Sequence, residues 1–470
     1  MANNCQVPTP LKYVDELLDY VGYTQDLYEK SILENSCGEG NILKEVVKRY
    51  IINSREDGYN DKQIIDGLER DITGYDTDPI CVRKCIKNLD LIALEYGLVG
   101  INWNIRVQDY LKCQRNSYQY VIGNPPYITY HDLTMEQREF LKKNFETCKD
   151  GRFDYCYAFI EAGLRDLADD GRLAYIIPYS VIRNKFAENT RELIKDNLRG
   201  IIDYKGIQLF PNTVTSSVVI FCDKQKRISI SYCNKKTNIT KNIDKNNLSK
   251  KWMFEEEQAG YYRFGDYFKV SNSVATLYNK AFVFEAKKMD KQFYYLADGK
   301  IEKEIVFDAA SPKSEKKYQN NKKKRDKIIF PYKRNKGNTV CFEEKEFKQL
   351  FPECYAYLER KKEKLLERKS SEGVKWFEYG RVQGINSIFV DKLILSNVIT
   401  NNVKVYAVAN EAIPYAGVYI RVLPGSRMSL NEAKEILQSD AFYSYVMNCG
   451  TPTTTSSYRI SVKDIENYYF

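Results

Sequence analysis

The first half of the chain alternates short runs rich in β-branched and aromatic residues with longer stretches of helical periodicity. Parallel strands need long crossover connections, and a helix is the usual one, so this alternation predicts a parallel sheet covered by helices. We therefore expect an α/β first half. Predicted strands cover 31–34, 71–75, 120–122, 173–177, 200–204 and 217–222, and predicted helices cover 11–20, 42–50, 79–95, 155–168 and 185–197.

The 470-residue chain is longer than one hydrophobic core usually organises, so two domains are expected. Composition shifts to Lys, Asn and Ser through 224–251, as in a linker or an exposed hairpin. The first domain is therefore expected over 1–223 and the second over 252–470. The second half is predicted to be α+β, with strands at 328–331, 392–395, 403–407 and 416–422 and helices at 352–369 and 431–438.

Composition restricts the class of protein. No run of eighteen apolar residues could span a bilayer, and the start of the chain lacks the features of a signal peptide, so a soluble, cytoplasmic protein is expected. The 12 cysteines are scattered without zinc-knuckle spacing, which favours reduced thiols and no metal site. The one histidine, His131, argues against Ser-His-Asp and Cys-His hydrolysis and is more simply a solvated loop residue.

Two loops at predicted strand ends carry glycines and carboxylates. One strand ends in Glu34 and runs into a loop with Gly38 and Gly40, where a ligand can approach the backbone closely, although many such loops are only tight turns. Glu34 favours a ligand with positive charge, such as a sulfonium or an amine. The next strand ends at Asp76, where α/β folds hold a ribose, while Asp78 is expected to cap the following helix.

The most specific motif is Gly-Asn-Pro-Pro-Tyr at 123–127, directly after a predicted strand. Two consecutive prolines fix the backbone and contribute no N–H groups, so the turn is rich in hydrogen-bond acceptors. The side-chain oxygen of Asn124 and the carbonyl of Pro125 can together accept both hydrogens of one planar amino group. Such contacts draw the nitrogen towards a tetrahedral, nucleophilic form, so no general base needs to act first. The turn therefore predicts chemistry on an amine such as that of adenine.

Together these motifs resemble those of the Taq-type gamma-class DNA adenine methyltransferases, in which they occur in the same order. The resemblance covers nearly the whole chain. It implies a Rossmann-like class I methyltransferase sheet, a second, target-recognition domain, S-adenosylmethionine as cofactor and methyl transfer to the N6 amine of adenine. The residues around the methionine part of the cofactor would be Thr9, Glu34, Gly38 and Gly40. Those at its ribose would be Asp76 and Thr77, and those at its adenine would be Asp109, Tyr110 and Phe159. Asn124 and Pro126 would also contact the cofactor. The sequence departs from the common family pattern at Asn35, where proline is frequent, and at the acidic Glu39.

The resemblance also implies a catalytic set of Asn124, Pro125, Tyr127 and Phe210. A base inside a duplex is out of reach of such a turn, so it would have to flip out, at a cost of a few kcal/mol. Stacking on Tyr127 and Phe210 would return about 1 to 3 kcal/mol per stacked base. Without the resemblance, Phe210 would be interpreted as a loop hydrophobe and Phe159 as part of the core face of a helix.

The second half carries a run of lysines and arginines over 313–336, and the chain as a whole has a net charge of +9 with 38 tyrosines. This composition suits a partner with phosphates and stackable bases, and double-stranded DNA is the partner expected. A solvated loop is the alternative interpretation of such a run. The residues expected to contact DNA phosphates are Lys322, Lys323, Lys324, Arg325, Lys333 and Arg334.

Other functions fit parts of this pattern. Asn-Pro-Pro-Tyr turns also occur in enzymes that methylate the N4 amine of cytosine, RNA adenine or the glutamine amide of proteins. A non-catalytic DNA-binding specificity module would keep the fold without the chemistry. A restriction-modification system or an orphan methylase is the expected setting. Any restriction endonuclease is expected to be a separate protein, since only eight residues precede Thr9, and the chain is expected to be a monomer.

Overall fold

The computed structural model describes residues 9–210, 216–248, 252, 254, 260–321, 325–335, 338–454 and 456–470. The chain divides into two compact units. The first unit comprises Met1–Glu255 with Thr451–Ser456, and the second comprises Glu256–Gly450 with Ser457–Phe470. No helix in these described ranges is both long and apolar enough to cross a membrane.

The first unit is built around one large sheet with helices on its faces. Its first helix shows why these segments fold as they do: Val14, Leu17, Leu18 and Val21 are buried and recur at the spacing of one helix face. The helices are α1 (Leu11–Val21), α2 (Asn41–Glu56), α3 (Asp61–Asp71), α4 (Pro79–Glu95), α5 (Met135–Asn144), α6 (Cys156–Arg165), α7 (Ser180–Arg183) and α8 (Glu188–Lys195). The strands are β1 (Ile32–Glu34), β2 (Ile72–Asp76), β3 (Asn104–Val107), β4 (Tyr118–Gly123), β5 (Leu167–Pro178), β6 (Leu198–Asp203), β7 (Ser217–Asp223), β8 (Ser229–Asn234) and β9 (Ile239–Asp244).

The strand order in this sheet is β3-β2-β1-β4-β5-β7-β6-β8-β9. Strands β1 to β5 pair in parallel with their neighbours, while β7 runs antiparallel between β5 and β6. Glu34 at the end of β1 pairs with Gly74 of β2 on one side and with Ile122 of β4 on the other. The carboxyl ends of these three strands therefore lie side by side. In open α/β sheets, ligands bind at this edge where the strand order reverses, which here is between β1 and β4.

The core of the first unit lies on both faces of the sheet. Leu33 and Val121 are fully buried in a cluster on one face, and Ile32 and Ile122 are fully buried in a cluster on the other. Successive strand residues point to opposite faces, so strands that are apolar at every position are buried on both sides. This burial holds the strand ends in a rigid frame.

The predicted α/β fold is confirmed. All six predicted strands of the first half are present, as β1, β2, β4, β5, β6 and β7, and the five predicted helices correspond to α1, α2, α4, α6 and α8. The ranges predicted for strands and helices do not include β3, α3, α5 or the short α7. Helix α3 contains Gly67, and glycine has a low helix propensity, which hides the helix in the sequence. A Cβ at this position would lie 2.3 Å from the Tyr50 hydroxyl, so the packing requires glycine. A capping box of Asn60 and Gln63 marks the start of that helix.

The segment 224–251, expected to be a linker or hairpin, contains the β8–β9 hairpin. Strand β8 pairs in parallel with β6 and in antiparallel fashion with β9. The hairpin therefore extends the sheet of the first unit, and the division between the units falls at Glu255.

The second unit is α+β and contains several small sheets. The predicted helix over 352–369 is two helices, which end and begin around Arg360. Both residues at this break contact Asp298: the Arg360 side chain donates to its carbonyl and Lys361 to its carboxylate. The helices that follow α8 are α9 (Asn279–Phe282), α10 (Pro312–Asn321), α11 (Glu344–Leu350), α12 (Pro352–Glu359), α13 (Lys362–Leu366), α14 (Leu430–Gln438), α15 (Asp440–Cys449) and α16 (Val462–Glu466).

The strands that follow β9 are short, and eight of them form two four-stranded sheets, in the orders β10-β23-β19-β21 and β11-β16-β15-β22. The predicted strands at 328–331, 392–395, 403–407 and 416–422 overlap β16, β19, β21 and β23. One short strand, β24, belongs to the segment that groups with the first unit. The bounds are β10 (Phe268–Asn272), β11 (Val283–Phe284), β12 (Lys288–Met289), β13 (Phe293–Leu296), β14 (Gly299–Glu302), β15 (Val306–Ala310), β16 (Lys327–Ile329), β17 (Tyr332–Asn335), β18 (Asn338–Cys341), β19 (Lys392–Leu395), β20 (Val398–Thr400), β21 (Val405–Val408), β22 (Ile413–Pro414), β23 (Val418–Val422), β24 (Thr451–Pro452) and β25 (Ser457–Arg459).

Candidate active site

The loop between β1 and α2 uses its two glycines differently. Gly40 is the N-cap of α2 at φ 81°, and a Cβ there would lie 2.6 Å from Sγ of Cys85 in α4. Gly38 has φ 53°, and a Cβ there would meet nothing within 4 Å. Gly40 is therefore required by helix packing, whereas Gly38 leaves open space beside the loop, where a ligand can approach the backbone.

Asp76 at the end of β2 ties this loop to the neighbouring strand. Its Oδ2 accepts the Gly38 N–H at 2.9 Å, and its Oδ1 accepts the Asp78 N–H at 2.8 Å. Each carboxylate oxygen has a second lone pair, which a ribose hydroxyl can use. Asp78 caps α4 through the Ile80 N–H at 2.8 Å, as expected, and Thr77 is exposed.

Glu34 is a buried carboxylate at the centre of this edge. It is 3% exposed, and its Oε2 has no hydrogen-bond partner among the described residues. Burial raises the pKa of Glu34 well above its usual range, and the neighbouring Cys37 and Asp76 raise it further, while the Leu43 N–H lowers it. A positively charged group bound beside Oε2 would reverse this shift. The site is therefore suited to a cation or an N–H donor.

The expected adenine-binding residues lie together near the end of β3. Asp109 accepts the Leu111 N–H at 3.1 Å, and its other oxygen lies 3.7 Å from Nζ of Lys112. The rings of Tyr110 and Phe159 are both buried, with their centroids 6.0 Å apart at 36°. They pack against each other and leave no room for a third ring between them.

The Asn124 turn follows β4 and carries an unused acceptor. Nδ2 of Asn124 donates to the hydroxyl of the buried Thr9 at 3.5 Å, and Ser36 donates its hydroxyl to the Asn124 carbonyl at 3.4 Å. The side-chain oxygen of Asn124 is buried and has no hydrogen-bond partner among the described residues. Pro125 is buried and Pro126 half-buried, and neither can supply an N–H. A buried acceptor without a donor is costly, which favours a ligand donor here.

The two expected base-stacking rings differ in their surroundings. Tyr127 is half-buried overall, but its hydroxyl is enclosed: burial raises the pKa of that hydroxyl above its usual range, an effect that Ser217 reduces. That hydroxyl has no hydrogen-bond partner among the residues that the structure describes, so the ring is enclosed at one end without a polar contact. Phe210 is 2% exposed and belongs to the apolar cluster that contains Tyr204 and Leu209. The structure therefore places Phe210 in the core, and it would have to leave that position to stack on a base.

The one histidine of the chain, His131, is exposed.

The expected phosphate-binding residues of the second unit have partners within that unit. Arg325 donates to both oxygens of the buried Glu315 at 3.0 Å each, and Lys333 lies 2.8 and 2.6 Å from the two oxygens of Glu346. The guanidinium of Arg334 lies 4.4 Å from the ring centroid of Phe389. Lys322, Lys323 and Lys324 lie outside the described residues.

Sequence reasoning missed a second basic feature of this unit, a depression of about 310 Å³. One cation comes from α9, and the others come from the charged run over 360–364, about eighty residues later, so the sequence does not show that Lys280 joins that run. In the described part of the chain, no group of three or more His, Cys, Asp or Glu side chains could hold a metal ion. The residues that line the depression are Tyr278, Lys280, Arg360, Lys361, Glu363 and Lys364.

Comparisons with known proteins find matches among restriction-modification methylases. Residues 69–210 match the family described as Eco57I restriction-modification methylase. The chain is 30% identical over 228 residues to the type II methyltransferase M.BstVI of Geobacillus stearothermophilus, covering 45% of this chain and 40% of that protein. It is 24% identical over 346 residues to the restriction enzyme and methyltransferase RM.Eco57I of Escherichia coli, covering 63% and 34%. The chain thus spans well under half the length of these relatives.

Among solved structures, the type IIL restriction-modification enzyme MmeI in complex with DNA has a similar fold. The TM-score is 0.61 at 12% identity, over 97% of this chain and 63% of that one. The sheet has the expected Rossmann-like arrangement, with parallel strands β3-β2-β1-β4-β5 followed by the antiparallel β7. The chain is thus similar, over part of its length, to methyltransferases of restriction-modification systems.

The two loop glycines give a test of the packing in this site. Gly40→Ala is expected to lower the free energy of unfolding by about 2 to 4 kcal/mol, because it adds overpacking against Cys85 to the strain of a left-handed backbone. Gly38→Ala has only the backbone strain and should cost about 1 to 2 kcal/mol. Urea unfolding of both variants measures the difference. Equal losses would contradict the separate roles assigned to the two glycines.

Glu34 gives a test by pH. Because its folded-state pKa is raised, the folded protein binds more protons than the unfolded chain, and stability falls as pH rises from the unfolded pKa through the folded one. Glu34→Gln removes this loss and is expected to raise the melting temperature of the ligand-free protein at neutral pH. The gain in melting temperature should shrink towards pH 4, where the Glu34 carboxyl is largely protonated in both the folded and the unfolded protein. A gain that is the same at all pH values would mean that Glu34 is not the group responsible.

Proposed function

We propose that the chain transfers a methyl group from S-adenosylmethionine to the N6 amine of an adenine in double-stranded DNA. The observation that carries this proposal is the buried, unpartnered side-chain oxygen of Asn124 beside Pro125, at the ligand-binding edge of a methyltransferase sheet. The similarity to type II methyltransferases of restriction-modification systems supports DNA as the substrate. Such a setting leaves room for a separate endonuclease that acts at the same sequence.

The cofactor fits the residues at this edge. Glu34 offers an acceptor without a donor, Gly38 leaves open space beside the loop, and Asp76 has lone pairs for the ribose. Asp109 can accept from the adenine amine, with Tyr110 and Phe159 beside it. When bound, S-adenosylmethionine supplies an electrophilic methyl group on a positively charged sulfur.

The Asn124 turn prepares the acceptor amine. The Asn124 oxygen and the Pro125 carbonyl each accept one hydrogen of the amine, so the nitrogen lone pair turns away from the ring and towards the methyl group. The new nitrogen–carbon bond forms as the sulfur–carbon bond breaks, which leaves S-adenosylhomocysteine. The methylated nitrogen then loses one proton, which the same acceptors direct towards solvent. Thr9 holds the amide nitrogen of Asn124, so the oxygen faces the substrate.

Tyr127 would hold the flipped adenine. Its ring is half-buried, and the open part can stack on a base, which returns part of the cost of removing the base from the duplex. Phe210 joins this contact only if it leaves the core. Cytosine N4, RNA adenine and protein glutamine present the same planar amine, so the nature of the product is the deciding observation.

The product of methyl transfer tests the proposal directly. Duplex DNA is incubated with methyl-labelled cofactor and digested to nucleosides, and the label is expected in N6-methyladenine. Asn124→Ala should lower turnover by about 10²- to 10³-fold, the usual effect of removing one preorganised polar group from such a site. Asn124→Asp keeps an acceptor and should retain more activity than Asn124→Ala. Label found only in cytosine, RNA or protein would refute adenine in DNA as the acceptor. A parent protein that binds DNA without any transfer would instead indicate a specificity module.

The basic depression of the second unit gives a prediction about DNA binding. Lys280 and Lys364 are exposed, and no carboxylate lies within ion-pair distance of either in the described residues. Replacing both by Gln is expected to reduce the slope of log K against log salt by about 1 to 2, since each phosphate contact contributes about 0.9. Lys333→Gln serves as the matched control, because Lys333 is already paired with Glu346. A slope that changes only in the control would refute this surface as a phosphate contact.

A further inference from the structure

Arg368, which lies shortly after α13, is bonded to three separate segments of the second unit. Its Nε donates to the carbonyl of Leu365 at 2.8 Å, and one terminal nitrogen donates to the carbonyls of Thr276 and Glu378 at 2.6 and 2.9 Å. The other terminal nitrogen donates to the carbonyl of Trp376 at 2.8 Å. A guanidinium has five N–H donors in one rigid plane, so a single side chain can hold several carbonyls at once.

Two of these segments line the basic depression of the second unit. Thr276 belongs to the turn that leads into α9, the helix that contributes Lys280 to the depression. Leu365 directly follows Lys364, which lines the depression from α13. Arg368 therefore joins the segment that carries Lys280 to the segment that carries Lys364.

The turn before α9 has a conformation that depends on its surroundings. Leu277 has φ 57°, in the left-handed region that a bulky residue rarely adopts. Its Cδ1 would lie 2.5 Å from a Cβ on Gly380, so the side chain packs directly against that glycine. Ala275 and Arg381 pair through two backbone hydrogen bonds of 2.9 and 3.0 Å. Tertiary contacts thus hold this turn against residues 371–381, and Arg368 extends the link to α13.

The charges of the depression do not favour its assembly. Of the residues that line it, four are cations and one, Glu363, is a carboxylate. Arg360 and Lys361 donate to Asp298, so their bonds do not reach the turn before α9. Like charges repel, so bringing Lys280 to the run over 360–364 requires an attraction from elsewhere. Bonds from Arg368 to backbone carbonyls supply such an attraction.

We propose that Arg368 is the positioning residue of the basic depression, because it holds the turn that carries Lys280 against the run over 360–364. Cations from both segments can then act on the same stretch of phosphates. For DNA, this inference rests on the proposed function, which supplies the phosphates. Loss of Arg368 is expected to separate Lys280 from Lys364 without removing either cation.

Chemical crosslinking of the full chain tests the assembly without DNA. A short bifunctional reagent for amines is expected to join Lys280 to Lys364 in the parent protein, and peptide mass spectrometry identifies the product. Arg368→Gln adds no amine and has only two N–H donors, so it is expected to reduce this crosslink several-fold. Lys392→Met is the matched control. Lys392 is a fully buried cation of the same unit that also donates to three backbone carbonyls, and its loss should leave the crosslink unchanged.

The salt dependence of binding measures the effect on DNA. Arg368→Lys keeps the charge but gathers its donors at one point, so it cannot reach all three segments. It is expected to lower the slope of log K against log salt by about 1, since each phosphate contact contributes about 0.9. In a protein that already carries Lys280→Gln and Lys364→Gln, Arg368→Lys should cause no further decrease. Thermal melts of each variant show whether it folds.

A crosslink that is absent from the parent protein, or unchanged in Arg368→Gln, would overturn the proposal. A slope that falls as much in Lys392→Met as in Arg368→Lys would overturn it as well. If neither Arg368 variant folds, Arg368 stabilises the whole unit rather than positioning the depression, and the proposal is wrong. A parent protein whose crosslink depends on Arg368 but which does not bind DNA would refute the proposed function and leave the assembly role in place.

Discussion

The parallel pairing of β1 with β2 on one side and β4 on the other is the constraint on which the site depends. It brings three loops that are far apart in sequence to one edge of the sheet. The carboxylate of Asp76 then connects two of these loops through backbone N–H groups, and Ser36 connects the first loop to the Asn124 turn. Because the strands are buried on both faces, their ends cannot shift independently. The polar groups at the edge are therefore held in place before any ligand binds.

The same edge contains groups that weaken the ligand-free protein. Within the part of the chain that the structure describes, one buried oxygen each of Glu34, Asn35 and Asn124 has no donor, and burial without a partner generally costs about 1 to 3 kcal/mol per group. Such conflicts between stability and local chemistry are expected at functional sites, where a ligand supplies the missing partner. The well-packed sheet below the edge offsets this cost. Preorganised acceptors also need no rearrangement when a substrate amine arrives, which is how a fixed polar site lowers a reaction barrier.

In the second unit, pairing decides which charges are available to a partner. Arg325 and Lys333 belong to the longest basic run of the sequence, but each is neutralised by a glutamate of the same unit. Lys280 and Lys364 come from separate segments and line one depression together with a single carboxylate, Glu363. A count of charges along the chain therefore overestimates the positive charge available at some positions and misses it at others. The reason is that the side chains nearest in space set the local electrostatic field.

The sequence by itself determined the α/β class and the six predicted strands of the first half, because the period of the apolar residues reflects the local backbone structure. It also determined that the Asn124 turn is rich in hydrogen-bond acceptors, because proline fixes the backbone locally and has no N–H. It also separated Asp78 as a helix cap from Asp76. Only the tertiary structure decided that Tyr110 and Phe159 pack against each other, that Phe210 lies in the core, and that Asn35 presents an unpaired oxygen. These facts depend on which residues meet across the sheet, and contacts between distant parts of a chain leave no periodic signal in the sequence.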